Sequence, residues 1–453
     1  MQLGTRKLLD RSFSGLGFLS IAVMAAALLV ILAPIFVRGF GAFVFKGTVE
    51  FRRMQFEKFE RGDAEEIAAE MEEVMAVRRP VYERIAAFRA ELEAGEASRR
   101  MTYRPRIQEL EEELADLLGP AAGAARPVLP RNQYGATRWD RALDQLDEVL
   151  HRVEYDYSDP SRMGVAVQVP RAQDFAGTPL ESLFPYIEEH AVDMLHPRVK
   201  FYPQFLTDES LDAHFFGGIW PEVLGTLCLA VGAMVFALPM GVISAVYLVE
   251  YAHEGRVMSF LRTCISTLAG VPSIVFALFG LAFFINSLHV TESKSLLAGS
   301  LTLACLILPT VIRASEEAIR AVPATYKEAA LSLGAGKWRT VVSVILPAAL
   351  PGILTGTVIS LGRAAGETAP IIFTAAVSVG EPLALFQADF WEALSQPTPA
   401  LPWNIYNLAT EHEAVDEIRH VQYGMVFTLV LLVLLLNTAA IVLRARVSKK
   451  LRG

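Results

Sequence analysis

Residues 361–370 read LGRAAGETAP and lie inside a long apolar run, yet they carry Arg363 and Glu367 four positions apart, with Thr368 beside the acid. An Arg in such a run is costly unless it faces protein or water, so it marks a functional or structural site. Its planar fork of donors suits a tetrahedral oxyanion. A carboxylate nearby offsets part of the charge and keeps an anion site attractive but passable. Thr368 adds a hydroxyl donor. On a helix turning about 100° per residue and counted from Gly352, Gly356 falls at about 40°, Arg363 at about 20° and Glu367 at about 60°. The pair therefore shares a stripe with two glycines. Gly352 and Gly356 form a G-x-x-x-G, as do Gly362 and Gly366, a spacing that admits a close neighbouring helix. The stripe is expected to face a protein interface or an aqueous path. There the charged pair either serves an anion or braces two helices.

Other chemistry is sparse. His190, Asp193 and His196 in EEHAVDMLH have spacings that could hold a metal, but three polar residues on an acidic helix read better as a solvated face. GAGKWRT at 334–340 looks like a fragment of a nucleotide-binding loop. It lacks the first glycine at the needed spacing, and Trp338 stands where Ser or Thr should hold magnesium. No Ser-His-Asp or Cys-His arrangement stands out. The chain is expected to be no enzyme, with no cofactor, no metal and no nucleic-acid partner.

The elements that must hold the pair are membrane helices. Of the 453 residues, 53% are hydrophobic, concentrated in runs that reach the roughly 20 residues a span requires. Six candidates stand out: 17–37, 222–248, 263–287, 296–316, 346–378 and 421–443. The fifth contains Pro351 and Pro370 and reads as a helix of about 25 residues followed by a re-entrant or kinked piece. Arg6, Lys7 and Arg11 precede the first run. Its apolar core is too long for a cleaved leader, so an uncleaved signal anchor is expected. The C-terminal RARVSKKLRG carries five Lys/Arg and no acid. The positive-inside rule then puts both tails in the cytoplasm, which requires an even number of spans. The same threading places 313–345 inside, and 40–215 and 379–420 outside.

The outer segment is a different kind of polymer. Residues 40–215 hold 22 Lys/Arg against 33 Asp/Glu, so the remainder of a chain of net charge −8 is slightly basic. Ile67, Met71, Val74, Met75, Val81, Ile85, Phe88 and Leu92 recur at helical steps. Ile107, Leu110, Leu114 and Leu117 continue the pattern until Gly119-Pro120 stops it. Trp139, Leu143, Leu146 and Leu150 mark a third amphipathic stretch. A helical hairpin or small bundle is expected, then a loop-rich part from about residue 155 to 205. Cys228, Cys264 and Cys305 all fall in the spans, so the insert is expected to fold without disulfides. Three parts follow: 1–45 with the first span, the insert 46–215, and a membrane core 216–453.

The loop before the fifth span, YKEAALSLGAGKWRTVVSVILP at 326–347, carries Glu328, Ala329, Ala330, Gly334, Val344, Leu346 and Pro347. It resembles the EAA loop of ABC importer permeases, E-A-A-x3-G-x9-I-x-L-P, with Val344 for the usual Ile. The stretch ATYKEAALSL can form a short amphipathic helix, ended by Gly334 at a C-cap that favours positive φ. Pro347 is expected where the chain bends into the fifth span. Over 217–453, the segments LAGVPSIVFALFGLAFF, RASEEAIRAVPATYKEAALSLGAGKW, GRAAGETAPIIFTAA and LPWNIYNLAT resemble phosphate importer permeases of the PstA type. The insert looks like the extra domain of longer versions. The resemblance implies an all-α integral membrane protein with a type I ABC importer permease fold, multi-pass in the cell inner membrane. It implies a second homologous permease subunit, two copies of an ATP-binding subunit and a periplasmic phosphate-binding protein as partners, beside membrane lipid. Glu328, Ala329, Ala330, Gly334, Leu346 and Pro347 would couple to the ATPase, and the R-x-x-x-E-T stretch would line the pathway. Two rival readings stay open: the same machine for another oxyanion or a phosphonate, and a membrane sensor with an extracytoplasmic domain.

Overall fold

A computed structural model describes residues 3–121, 123–125, 127–157, 164–253, 255–378, 383, 390–412 and 414–452. Parts of the expected outer loop, 379–382, 384–389 and 413, lie outside the described residues. Helices Ser12–Phe40, Trp220–Tyr251, Leu296–Arg320, Lys337–Gly366 and Arg419–Lys449 are long and apolar enough to cross a membrane. A sixth span requires counting Arg256–Leu268 and Ser273–Ser287 as one, although they meet at 98°. The run 263–287 is therefore not a straight span. Pro272 has no N–H to continue the first helix and disfavours helical backbone at the residue before it. The amides of Gly270 and Val271 close a tight turn onto Thr267 and Leu268 instead.

The chain forms two compact units, Met1–Ala42 with Gln204–Gly453, and Phe43–Pro203. In the membrane unit Leu296–Arg320 is central. Its membrane window is 67% buried, against 0% for the first helix and 6% for the last, so those two are largely uncovered within this chain. Leu303, Ile307 and Val311 of the central helix pack with Leu229, Ala233 and Ala237 of the second span and with Ala364 and Ala365 of the fifth. Arg38 Nη1 donates to Tyr423 Oη at 2.7 Å and ties the end of the first helix to the start of the last.

The fifth span starts earlier than its apolar run suggested, and the separate piece expected after it is present. It begins at Lys337, passes a π-turn at Val341–Ile345 and ends at Gly366, before a short helix Ala369–Thr374. Leu346 and Pro347 thus lie within a continuous helix. Pro347, expected where the chain bends into the span, lies inside the helix instead; the π-turn just ahead opens the ladder where its ring would clash with the preceding turn.

In the other unit, helices Ala64–Ala94 and Ala97–Leu118 form the expected hairpin, joined by Val49–Phe59, Trp139–Leu150 and Leu183–Leu195. Asp63 Oδ1 caps the first long helix by accepting from the amides of Glu65 and Glu66. Val81, Ile85, Phe88, Leu110, Leu114 and Leu117 share one core with Leu183, Ile187 and Met194. The stretch expected to be loop-rich holds that last helix and two strands with antiparallel partners that begin before it: Val165–Pro170 with His151–Asp156, and Arg198–Phe201 with Val44–Gly47. The buried Arg78 pairs with Glu50 at 2.8 Å and also donates to the carbonyls of Met194 and Leu118, which satisfies both charges inside the core. Residues 204–215, read from sequence as insert, belong to the membrane unit, where the amide of Ile219 donates to Phe205 O.

Candidate translocation pathway and coupling loop

Arg363 occupies the last turn of helix Leu346–Gly366. Its Nε donates to Glu367 Oε1 at 3.2 Å. The two side chains are 39% and 20% exposed, so the pair is open on one side. Glu367 is not on the helix, as the wheel required. It is extended, with φ −82° and ψ 127°, and reaches back to Arg363. The reason is Pro370, which has no N–H to donate to Gly366 O, so the ladder stops and a new helix starts behind Thr368. Thr368 is the N-cap residue of that helix, but its side chain makes no cap hydrogen bond.

The glycines divide along the same helix. A Cβ on Gly352 would lie 2.6 Å from Ala318 Cβ, and one on Gly356 would collide with Ala314 Cβ, so both mark close contact with the central span. Gly362 faces Val433 and Asn437 of the last helix, and Gly366 has nothing within 4 Å. One end of the helix is locked against its neighbour. The other presents the Arg–Glu pair at a break with free space beside it.

The coupling motif forms a knob. Helix Ala324–Ser332, which carries Glu328, Ala329 and Ala330, has no buried residue. Gly334 has φ +82°. Its amide donates to Leu331 O at 2.9 Å, and that of Ala335 to Ala330 O at 3.1 Å. This pair of bonds is a Schellman cap, and it uses glycine's access to positive φ. Tyr326, Leu331, Leu333 and Trp338 are all exposed around it, with Leu333 at 89%. Apolar side chains displayed this way on a fixed turn are left open to a partner surface.

Two contacts that the sequence reading did not find hold the knob. Lys327 Nζ pairs with Glu250 Oε2 at 2.5 Å, the acid being 6% exposed. Lys337 Nζ stands 4.8 Å from the ring centre of Tyr251. Both partners lie at the end of the second span. The only signal was an acid closing an apolar run opposite a basic loop, which does not specify a pair. Leu346 and Pro347 sit in the fifth span, where Leu346 packs beside the buried Val341, Ile345 and Ala349.

In the other unit, His190 Nδ1 lies 3.0 Å from Tyr186 O. His196 Nδ1 lies 3.2 Å from Glu70 Oε1. Among the described residues, no group of three or more His, Cys, Asp or Glu is placed to hold a metal.

Residues 237–453 match a family described as "Binding-protein-dependent transport system inner membrane component". The probable ABC transporter permease protein YqgI of Bacillus subtilis is 34% identical over 280 residues, 60% of this chain and 91% of that protein. The phosphate transport system permease protein PstA 1 of Mycobacterium tuberculosis is 37% identical over 242 residues, 53% of this chain and 74% of that protein. The phosphate transport system permease protein PstA of Yersinia pestis is 34% identical over 231 residues, covering 51% and 73%. The MetNI methionine ABC transporter, solved in inward-facing conformations, is 19% identical over 51% of this chain and 94% of that chain, with a TM-score of 0.37. The chain belongs to the family of binding-protein-dependent transport system inner membrane components, among its PstA-type ABC transporter permeases.

Proposed function

We propose that this transport subunit forms half of the pathway of an ATP-driven phosphate importer. It pairs with a second, homologous permease subunit. Two copies of a separate ATP-binding subunit dock on the knob around Glu328, Ala329, Ala330 and Gly334, and hydrolysis is theirs. A periplasmic phosphate-binding protein delivers substrate to the opposite face. Both tails and the loop 313–345 lie in the cytoplasm, consistent with their Lys and Arg, and the insert lies outside in the periplasm.

The observation that carries this reading is the continuity between knob and charged pair. The helix from Lys337 to Gly366 spans 30 residues, about 45 Å at 1.5 Å per residue. One end is anchored to the knob through Lys337, and the other carries Arg363. Closure of the ATPase subunits on ATP would push the knob. Lys327–Glu250 and Lys337–Tyr251 transmit that push to the second and fifth spans. The far end of the fifth span then moves against the short helix behind Glu367, opening the pathway to one side and closing it to the other. Arg363 binds the oxyanion through its fork while Glu367 holds the well shallow, and Thr368 offers an uncommitted hydroxyl.

Affinity purification from native membranes tests the reading. The tagged chain should bring down an ATPase and a second permease, and its deletion should abolish high-affinity phosphate uptake. A chain that purifies without an ATPase, or a deletion strain with unchanged uptake, would overturn it.

A further inference from the structure

A second polar site is sealed within the membrane unit, on helices other than the one that carries Arg363. Glu222 is the third residue of helix Trp220–Val246 and is 1% exposed. Its Oε1 accepts from Asn404 Nδ2 at 3.0 Å. Asn404 lies on helix Leu401–Thr410 and is fully buried. Glu222 Oε2 and Asn404 Oδ1 are both buried without a hydrogen-bond partner. Two orphaned acceptors on one contacting pair demand an explanation, because each would otherwise retain its full desolvation penalty.

Among the described residues, no Lys or Arg is paired with Glu222. His214 Nε2 stands 3.7 Å from Glu222 Oε1. That same nitrogen faces Ser378 O at 3.3 Å, and Nδ1 faces Ser210 Oγ at 2.8 Å. This pattern suits a neutral imidazole, with Nε2–H donating to the carbonyl and Nδ1 accepting from the hydroxyl. Burial pushes His214 down to about 4, so it is uncharged near neutrality. His412 accepts from the amide of Ala414 at Nδ1, and its Nε2 lies 2.9 Å from Ala213 O, which is again a neutral arrangement. Asp208, whose carbonyl accepts from the amide of Trp220, lies on the same 204–219 stretch of the membrane unit as His214. Lys294 Nζ donates to Ala376 O at 3.2 Å, on the segment that carries Ser378.

We propose that Glu222 carries a proton and forms with Asn404 a neutral acid–amide pair that positions the segment behind the Arg363–Glu367 break. Asn404 Nδ2–H donates to Oε1, and Oε2–H donates back to Asn404 Oδ1. A single proton thus gives both orphaned atoms a partner. The consequence for transport runs through the chain. Thr226 Oγ1, one turn after Glu222, accepts from the amide of Leu401 and so joins the same two helices. His214, against Glu222, faces Ser378 O, where the chain arrives from Glu367 through the short helix Ala369–Thr374. Ionising Glu222 would place a bare carboxylate in this joint and drive the helices apart to hydrate it. Glu222 is a positioning residue: it touches no substrate and sets where the Glu367 segment rests.

The test uses the assembled complex and three variants. Glu222→Gln keeps shape and neutrality, Glu222→Ala removes the pair, and Glu222→Gln with Asn404→Asp exchanges acid and amide. The infrared spectrum of purified complex at neutral pH, taken with Glu113→Gln in every protein so that this second raised carboxyl does not contribute, should contain the carbonyl stretch of a protonated carboxylic acid. That band should be lost in Glu222→Gln and regained in the exchanged pair. Phosphate uptake per assembled complex should be retained in Glu222→Gln and lost in Glu222→Ala. The wild-type alkaline decline, where the acid ionises, should be missing from Glu222→Gln. Absence of the acid band with Glu222 intact would overturn the assignment, even if Glu222→Ala fails to assemble. So would a Glu222→Gln profile with the wild-type alkaline decline. The infrared band does not depend on the phosphate reading. Absent uptake in every protein, wild type included, would count against that reading alone.

Discussion

Gly334→Val isolates the coupling knob from everything else the chain does. At this position φ is +82°, and a Cβ would have nothing within 4 Å. A new side chain therefore meets no neighbour, and the only penalty is the backbone conformation. Holding a residue with a Cβ in the left-handed region costs about 1–2 kcal/mol, with a β-branched residue at the high end. Since 1.4 kcal/mol is about a factor of ten, the capped form of the loop should fall about 5- to 30-fold relative to uncapped forms. Gly334→Asn, which tolerates this region, should cost least, and Gly334→Ala should be intermediate. The helix before the turn buries nothing, so insertion and yield should not change. The assay is phosphate uptake per assembled complex, together with the ATPase retained in pull-down. Both should follow the order Gly, Asn, Ala, Val. A valine variant that couples as well as wild type would refute the role assigned to the capped turn.

Lys327→Gln should leave Glu250, 6% exposed, without its partner and reduce uptake per complex. Adding Glu250→Gln should recover part of the loss, because breaking a buried pair is worse than removing both charges. Gly356→Leu should cut the amount of assembled complex without a specific transport defect, since its Cβ alone already collides with Ala314. Residues 43–203 expressed alone should be soluble, largely helical and indifferent to dithiothreitol; a strand-dominated circular dichroism spectrum would contradict this. Within that unit, burial pushes the Glu113 carboxyl from 4.5 up to about 7, against the pull of Arg171. The folded form then keeps a proton that the unfolded form has lost, so stability should fall as pH rises across that window. Glu113→Gln should flatten the slope seen in melting temperature.

The parts of this fold legible in sequence are those governed by local periodicity. The apolar runs mark the spans, and the spacing of Val81, Ile85, Phe88 and Leu92 marks a helix face that is buried in the structure. The Gly334 turn is equally local: the conformation demanded there is one that glycine supplies. Features set by tertiary contact were not legible. Glu367 looked helical because the four-residue spacing from Arg363 was right, yet Pro370, three residues later, removes the amide that would have continued the ladder. Pro347 looked like a bend because a π-turn has no simple sequence signature. Lys327–Glu250 joins residues 77 apart in sequence, and Glu222–Asn404 joins residues 182 apart. Neither acid differs in type or local pattern from those on solvated faces.

The central claim, that the Arg363–Glu367 pair serves the transported anion, is tested most directly by phosphate uptake per assembled complex in Arg363→Gln. The pair is open on one side, with side chains 39% and 20% exposed, so losing one charge should leave assembly intact. If the pair lines the pathway, Arg363→Gln should assemble at the wild-type yield and take up little or no phosphate, and adding Glu367→Gln should not restore uptake. Normal uptake per complex in Arg363→Gln would contradict the account. So would a shortfall in assembled complex that the double variant repairs along with transport.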